Sequence, residues 1–247
     1  MPLSPRRVLR TFKYAMYFDG VDDYVQIDDN PSINPSNEIT VLLWTYSIQN
    51  MFGPTIWTCL RKGYSQYLLE PGDIGTNYWV FGAVVGGAFY KVDTTGPLPL
   101  FQWVQVGGRY SSSLGRLDII VNGAVNNISR SLTGSIQSQS RPLYIGKFGG
   151  EIYTGYISQV LIYSRALSDS EILWNYQYPD NPIRNGLVLW LQADPNNVKD
   201  IDNDRILEWI DLSGYNNHGK IYGAQLVQLV KNSSRVLNPV RVLKTLR

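Results

Sequence analysis

The sequence predicts an all-β protein: a two-sheet antiparallel sandwich of jelly-roll type with one short helix near 168–176. Three observations carry that expectation. Short runs rich in aromatic and β-branched residues recur along the chain, as in YVQI, ITVLLWTY and RLDIIV. Turn words separate them, among them Asp19-Gly20, Gly86-Gly87 and Asn122-Gly123. A clear helix-start signal stands at Ser168-Asp169-Ser170-Glu171, whose spacing is that of a capping box. Many short strands with regularly spaced turns bury their apolar faces best as two packed sheets.

In order, residues 1–13 read as a basic arm, extended around Pro2 and Pro5. Ala15–Ile27 (AMYFDGVDDYVQI) reads as an opening hairpin, two strands around a tight acidic turn. Asp28–Asn37 is a loop, since two prolines and several Asx and Ser residues leave it few alternatives. Ile39–Tyr46 is a strand apolar enough to be buried on both faces. Pro54–Leu60 and Tyr64–Leu69 are expected to pair across Arg61-Lys62-Gly63, and Asn77–Val85 with Ala88–Val92 across Gly86-Gly87. Phe101–Tyr110 alternates, with Phe101, Trp103 and Val106 expected to face in. Leu117–Val121 and Ala124–Ile128 flank Asn122-Gly123, the strongest hairpin signal in the chain. Leu143–Gly146 and Tyr153–Tyr163 are further strands, and Pro179 and Pro182 close the helix region.

The expected division is therefore a basic arm (1–13), a jelly roll (14–178), a linker (179–186), a short β segment (187–224) and a basic tail (225–247). The 187–224 segment holds three strand-like pieces, too few for a core of its own. It must dock on the sandwich, on another subunit or on a following copy.

The net charge of +2 hides an asymmetry. Ten of the 22 basic residues fall in 1–18 and 212–247, where no acid occurs, so the body between is acidic. Arg6, Arg7, Arg10, Arg235, Arg241 and Lys244 are thus candidate partner contacts, the partner being nucleic acid, an anionic lipid, or an acidic protein surface such as the body of a neighbouring copy. Arg-Val-Leu recurs at 7–9, 235–237 and 241–243. Charged tails kept in solvent fit these residues as well. Cys59 is the sole cysteine, which rules out an intrachain disulfide. Neither a signal-peptide h-region nor a run of the ~18 apolar residues needed for a membrane helix is visible. The expectation is a protein cytoplasmic as synthesised, reaching a virion or other extracellular particle without a secretion signal.

Candidate chemistry is limited. Asp19, Asp22 and Asp23 share one turn and offer hard oxygen ligands for Ca²⁺, though turn capping uses the same residues. Asp200, Asp202, Asp204, Glu208 and Asp211 fall at positions 1, 3, 5, 9 and 12 of a twelve-residue calcium loop, but Arg205 occupies the position that needs Gly. A solvated acidic loop is the competing reading. Sugar binding needs aromatic faces beside amides and carboxylates. Tyr64, Tyr67, Tyr78, Trp79, Phe89 and Tyr90 supply rings, and Asn77 and Asp73 supply polar groups. Alternation puts about half of these rings in the core, and Tyr78 and Tyr90, with Asn77, are the expected binding set. No catalytic residues are assigned. None of the five Glu residues heads an E-x-D or E-x-E pair, and the lone His218 sits in an Asn-Asn-His-Gly turn.

Five stretches resemble, in order, the laminin-G-like, concanavalin A-like lectin/glucanase jelly rolls: AMYFDGVDDYVQI, EITVLLWTY, FQWVQVGGRY with RLDIIVNGAV, RPLYIGKF, and GYISQVLIYSRALSDSEI. The last is the most specific, and coverage is about 14–178. Residues 187–224, with Trp209–Gly219 as a W-x-D-x-S-G-x-x-N-H-G turn, resemble the start of a second such unit, then cut short. The resemblance implies two face-to-face antiparallel sheets and a non-enzymatic role in binding carbohydrates or proteins, often with calcium. Ser158 stands where the family pattern commonly has Asp, which counts against a calcium site relying on that carboxylate. The expected function is a surface-contact protein for glycans, a cell surface or protein partners, as a structural or attachment component of an assembled particle such as a virion. A free carbohydrate-binding lectin module is the alternative, and a glycoside hydrolase is the reading with least support, for want of paired acids.

Overall fold

The computed structural model describes residues 12–48, 58–71, 78–202, 204–231 and 237–241. The strands in chain order are β1 (Tyr14–Asp19), β2 (Tyr24–Ile27), β3 (Glu38–Ser47), β4 (Leu60–Lys62), β5 (Tyr67–Pro71), β6 (Trp79–Val85), β7 (Ala88–Asp93), β8 (Trp103–Ser111), β9 (Arg116–Val121) and β10 (Ala124–Ser131). There follow β11 (Leu143–Ile145), β12 (Lys147–Phe148), β13 (Glu151–Ile152), β14 (Thr154–Tyr163), helix α1 (Asp169–Gln177), β15 (Leu187–Gln192), β16 (Val198–Lys199), β17 (Glu208–Trp209), β18 (Gly219–Tyr222), β19 (Gln225–Lys231) and β20 (Leu237–Arg241).

Two antiparallel sheets form the sandwich. The first runs β10-β9-β8-β3-β14-β1-β19-β20, with β15 also pairing β14. The second runs β16-β17-β18-β2-β11-β4-β5-β6-β7. The main core lies between them. Alternation places Met16, Phe18, Val25, Ile27, Phe81, Val106, Ile119, Ile145, Ile157 and Trp209 inward. Gly108 is required there, because a Cβ at that position would lie 1.8 Å from the Phe81 ring of the facing sheet.

The first sheet's outer face is covered. Ser168 caps α1, accepting from the Glu171 amide while the Glu171 carboxylate accepts from the Ser168 amide. The helix packs Ile172 with Leu42, Ile120, Leu161 and Tyr163, and Tyr176 stacks on Trp44 at 5.3 Å. Arg109, fully buried, ties the α1 start to the sheet through Asp118, Asp169 and the Leu167 carbonyl. Further along this face, Phe12 lies edge-on to Trp44 and Trp103.

Several expectations need correction. β1 and β2 are not a hairpin: β1 pairs β14 and β19 in the first sheet, and β2 pairs β11 and β18 in the second. The acidic turn is a corner carrying the chain across the sandwich. Arg61 and Lys62 are strand residues, and the β4–β5 turn falls at 63–66. Phe101 is exposed with φ 57°, while Trp103 faces the outer side of the first sheet beside Tyr46. Residues 179–186 are held rather than loose. The Pro179 carbonyl accepts from Gln159, the Ile183 amide donates to Asn175, and the Asn185 carbonyl accepts from Arg165.

The 187–224 segment docks on its own sandwich. β15 lies end to end with β1 along one side of β14, and β16, β17 and β18 extend the second sheet beyond β2. Residues 225–231 and 237–241, expected in a basic tail, are strands that extend the first sheet. Ser158 sits where β1 and β15 meet. It donates to the Tyr14 carbonyl, at the opposite end of β1 from Asp19. That separation, about four residues or ~13 Å of strand, means that a carboxylate at 158 would not join the acidic turn.

Candidate functional site

The outer face of the second sheet is built differently from that of the first. Registered pairing sets Glu208, Lys220, Gln26, Tyr144, Arg61, Leu68, Gly82 and Lys91 in one row across eight strands. Residues in one row share a face, and their strand neighbours Trp209, Val25, Ile145 and Leu60 point into the core. A second row begins with Tyr222 opposite Tyr24.

Rings dominate part of this face. Tyr24 and Tyr222 stack at 4.6 Å, and Tyr24 meets Tyr144 at 6.2 Å. Phe148 stands edge-on to Tyr144 and to Tyr64. Phe148 and Lys147 are placed by the two-residue strands β12 and β13, whose turn uses Gly149 at φ 62°. Tyr24, Tyr144, Lys147, Phe148 and Gly149 line an open depression of about 270 Å³. Cations sit against the rings: Lys147 over Tyr24, Arg61 over Phe148 and Arg141 over Tyr64. The Arg61 guanidinium is held by two carboxylates, Glu70 at 2.7 Å and Glu151 at 2.8 Å. Burial raises the Glu70 carboxyl above its usual range, against the pull of Arg61.

Beside the rings lies a polar depression of about 190 Å³, with Asp28, Asp202, Glu208, Asn216, Asn217 and Lys220 in its wall. Its shape follows from the Trp209–Gly219 turn. The Asp211 carboxylate accepts from the amides of Trp190, Ser213 and Asn217 and from the Ser213 hydroxyl. The Asp211 amide in turn donates to His218 Nδ1. This chemistry is internal, so His218 serves the turn, and the twelve-residue calcium loop loses its last ligand. Asp204 accepts from the Ile206 amide and Asp200 from the Arg205 amide. Among the described residues, Asp200, Asp202 and Asp204 do not converge as a ligand trio.

The carboxylates that do converge are Asp19, Asp22 and Asp23, whose oxygens lie within 4.8 Å of one another. Asp19 also accepts from the Val21 amide, and buried Asp23 from the Asp19 amide. Burial holds the Asp23 carboxyl above the usual range. Thr154 Oγ1, buried and without a partner, lies against Gly20 in the same turn. This donor set fits a hard cation, although two of its three carboxylates also hold the corner.

The expected sugar-binding set is not what the fold presents. Tyr90 points inward and packs on the core, and its neighbour Phe89 is the exposed ring. Tyr78 precedes β6 and is half-buried, away from the ring depression's lining. Asn77 and Asp73 lie outside the described residues, as do Arg6, Arg7, Arg10, Arg235 and Lys244. Arg241 ends β20. Tyr67 and Trp79 are core residues, and Cys59 is buried. Sequence reasoning missed Tyr24, Tyr144, Phe148 and Tyr222. Period-two alternation in YVQI and LYI marks Tyr24 and Tyr144 as outward, but nothing local says that β2, β11 and β18 are neighbours.

Residues 19–173 match the family described as the Concanavalin A-like lectin/glucanases superfamily. No curated protein matches the chain. Among solved structures, a candidate carbohydrate-binding protein of Bacteroides ovatus is similar over 95% of this chain, with TM-score 0.70 and 17% identity. The chain spans 63% of that protein's length. Domain 4 of the arabinanase AbnA of Geobacillus stearothermophilus, solved with arabinotriose, is similar over 64% of this chain and 74% of its own, with TM-score 0.51 and 18% identity. A heptameric SAP-like pentraxin of Limulus polyphemus is similar over 66% of this chain and 82% of its own, with TM-score 0.50 and 14% identity.

Proposed function

The chain belongs to the Concanavalin A-like lectin/glucanases superfamily, and from that premise we propose that it binds glycans through the outer face of its second sheet. The observation that carries the reading is the depression walled by Tyr24, Tyr144 and Phe148. Aromatic faces pack against the C–H face of a pyranose, and nearby polar groups fix its hydroxyls. Helix α1 and the Phe12 cluster occupy the corresponding face of the first sheet, which leaves the second sheet as the contact surface.

Contact rather than catalysis is the favoured mode. At the ring depression, the paired acids Glu70 and Glu151 are both spent on Arg61. A general acid must present a proton to its substrate, whereas an Arg-paired carboxylate is held as an acceptor.

A glycan array, followed by titration of the best hit, tests the reading. Tyr144→Ala is expected to weaken binding at least tenfold while the fold is kept, since Tyr144 is half-buried on the outer side. Unchanged binding by this variant, or a blank array, overturns it. Calcium fits Asp19, Asp22 and Asp23. A melting temperature raised by CaCl2 in the wild type, but not in Asp22→Asn, supports an ion there, and no rise removes it. The finer reading, an attachment or structural component of a particle such as a virion, rests on the basic residues concentrated towards the chain ends. The mass of the native complex tests that.

A further inference from the structure

The polar depression holds an imbalance that the glycan reading does not explain. Glu208 is only 7% exposed, yet its carboxylate has no hydrogen-bond or ion-pair partner among the described residues. Behind the same wall Asn217 holds the turn, its amide nitrogen donating to Ser32 and the Val188 carbonyl. Asp202 adds an exposed carboxylate at the rim. Lys220, paired across the strands with Glu208, attracts it without forming a hydrogen bond or ion pair to it. Lys220 reaches Asp28 at 3.2 Å, Lys62 is committed to Asp29, and Lys199, across the sheet from Glu208, forms no ion pair with it. His218 uses Nδ1 to accept the Asp211 amide.

A buried carboxylate without a partner is costly, and it is relieved by a cation that also donates hydrogen bonds. A bare calcium ion fits poorly. It needs several oxygens within about 2.3–2.6 Å of one point, and no three carboxylates of this depression lie within 4.8 Å of one another. An ammonium carried on a ring with hydroxyls can reach acceptors that stand further apart. The volume, about 190 Å³, equals roughly six waters at ~30 Å³ each, about the room that one monosaccharide needs.

We infer that this depression is a subsite for a protonated amino sugar, with the ammonium on Glu208 and Asp202 and a ring hydroxyl on Asp28. The subsite rests on the glycan reading of the same face: the row Lys220, Gln26, Tyr144 joins it to the ring depression. Burial, then Asp202, raise the Glu208 carboxyl against the weaker pull of His218 and Lys220.

Isothermal titration with a β-1,4-linked glucosamine tetramer and its fully N-acetylated counterpart tests the inference, with and without CaCl2. The free-amine tetramer is expected to bind at least tenfold tighter. Glu208→Gln, and independently the rim variant Asp202→Asn, should each erase most of that preference and leave binding of the acetylated tetramer unchanged. Equal affinity for the two tetramers, loss of the preference on adding calcium, or unaltered preference in both variants overturns the subsite. If neither tetramer binds, the subsite falls, while the wider glycan reading still stands or falls by Tyr144→Ala on the array hit.

Discussion

Tyr24 and Tyr222 stack face to face, 4.6 Å apart and 16° from parallel, on adjoining strands from opposite ends of the chain. The pairing shows that the late segment completes the sandwich. A protein ending at residue 186 would lose the β15 partner of β14 and the β18 partner of β2. It would also uncover the faces that Trp209 and Leu191 fill. That truncation is expected to be insoluble or to bind a hydrophobic dye. Within the full chain, Trp209→Ala should cost about 3–5 kcal/mol in urea unfolding.

Gly108→Ala should destabilise by more than a cavity-neutral change, about 2–3 kcal/mol. The added methyl meets the Phe81 ring on the facing sheet. Combining it with Phe81→Leu should recover part of the loss, and an additive double variant would show that the two residues do not touch.

Arg109→Met should cost about 3 kcal/mol in the same measurement, at the low end for breaking a buried pair. Asp118 would remain buried, but Arg116 still reaches it at 3.0 Å. A loss under 1 kcal/mol would place Arg109 among surface pairs.

The Glu171 carboxyl is held down to about 2, first by hydrogen bonds from Arg165 and then by the Ser168 cap. Its unfolded value is ~4.3. A depressed acid stabilises the fold above the unfolded value, and the gain fades as pH drops from ~4.3 towards 2. The pair is partly exposed, so the effect is of the order of 1 kcal/mol. The melting-temperature gap between wild type and Glu171→Gln should be constant from pH 7 to 5 and close below pH 3. A gap that does not depend on pH would contradict this.

Phe89→Ala should leave stability within about 0.5 kcal/mol, as an exposed surface change does, whereas Tyr90→Ala should cost several times more. Equal losses would reverse the assignment of faces on β7.

The sandwich was legible because its signals are local. The Asn122-Gly123 and Gly86-Gly87 turns take positive φ as their residues predict, and Ser168 caps α1. The site was not legible, for the opposite reason. Tyr24, Tyr144 and Tyr222 meet only because β2 takes β11 on one side and β18 on the other. Around Tyr78 and Tyr90 the alternation does not distinguish a strand's two faces, because both flanks are apolar. The same limit produced the false opening hairpin. Asp19-Gly20 specifies a turn, but whether a turn closes a hairpin or bridges two sheets depends on which partners the flanking strands find elsewhere.

The first strand lies deep inside its sheet, between β14 and β19. A ribosome making about 5–20 residues per second delivers the second of those partners on the order of ten to forty seconds after the first strand emerges. Over that interval the nascent chain presents an apolar strand with an open edge, a natural client for chaperones. Conditions that slow translation of the last quarter should therefore lower soluble yield more than those that slow the first.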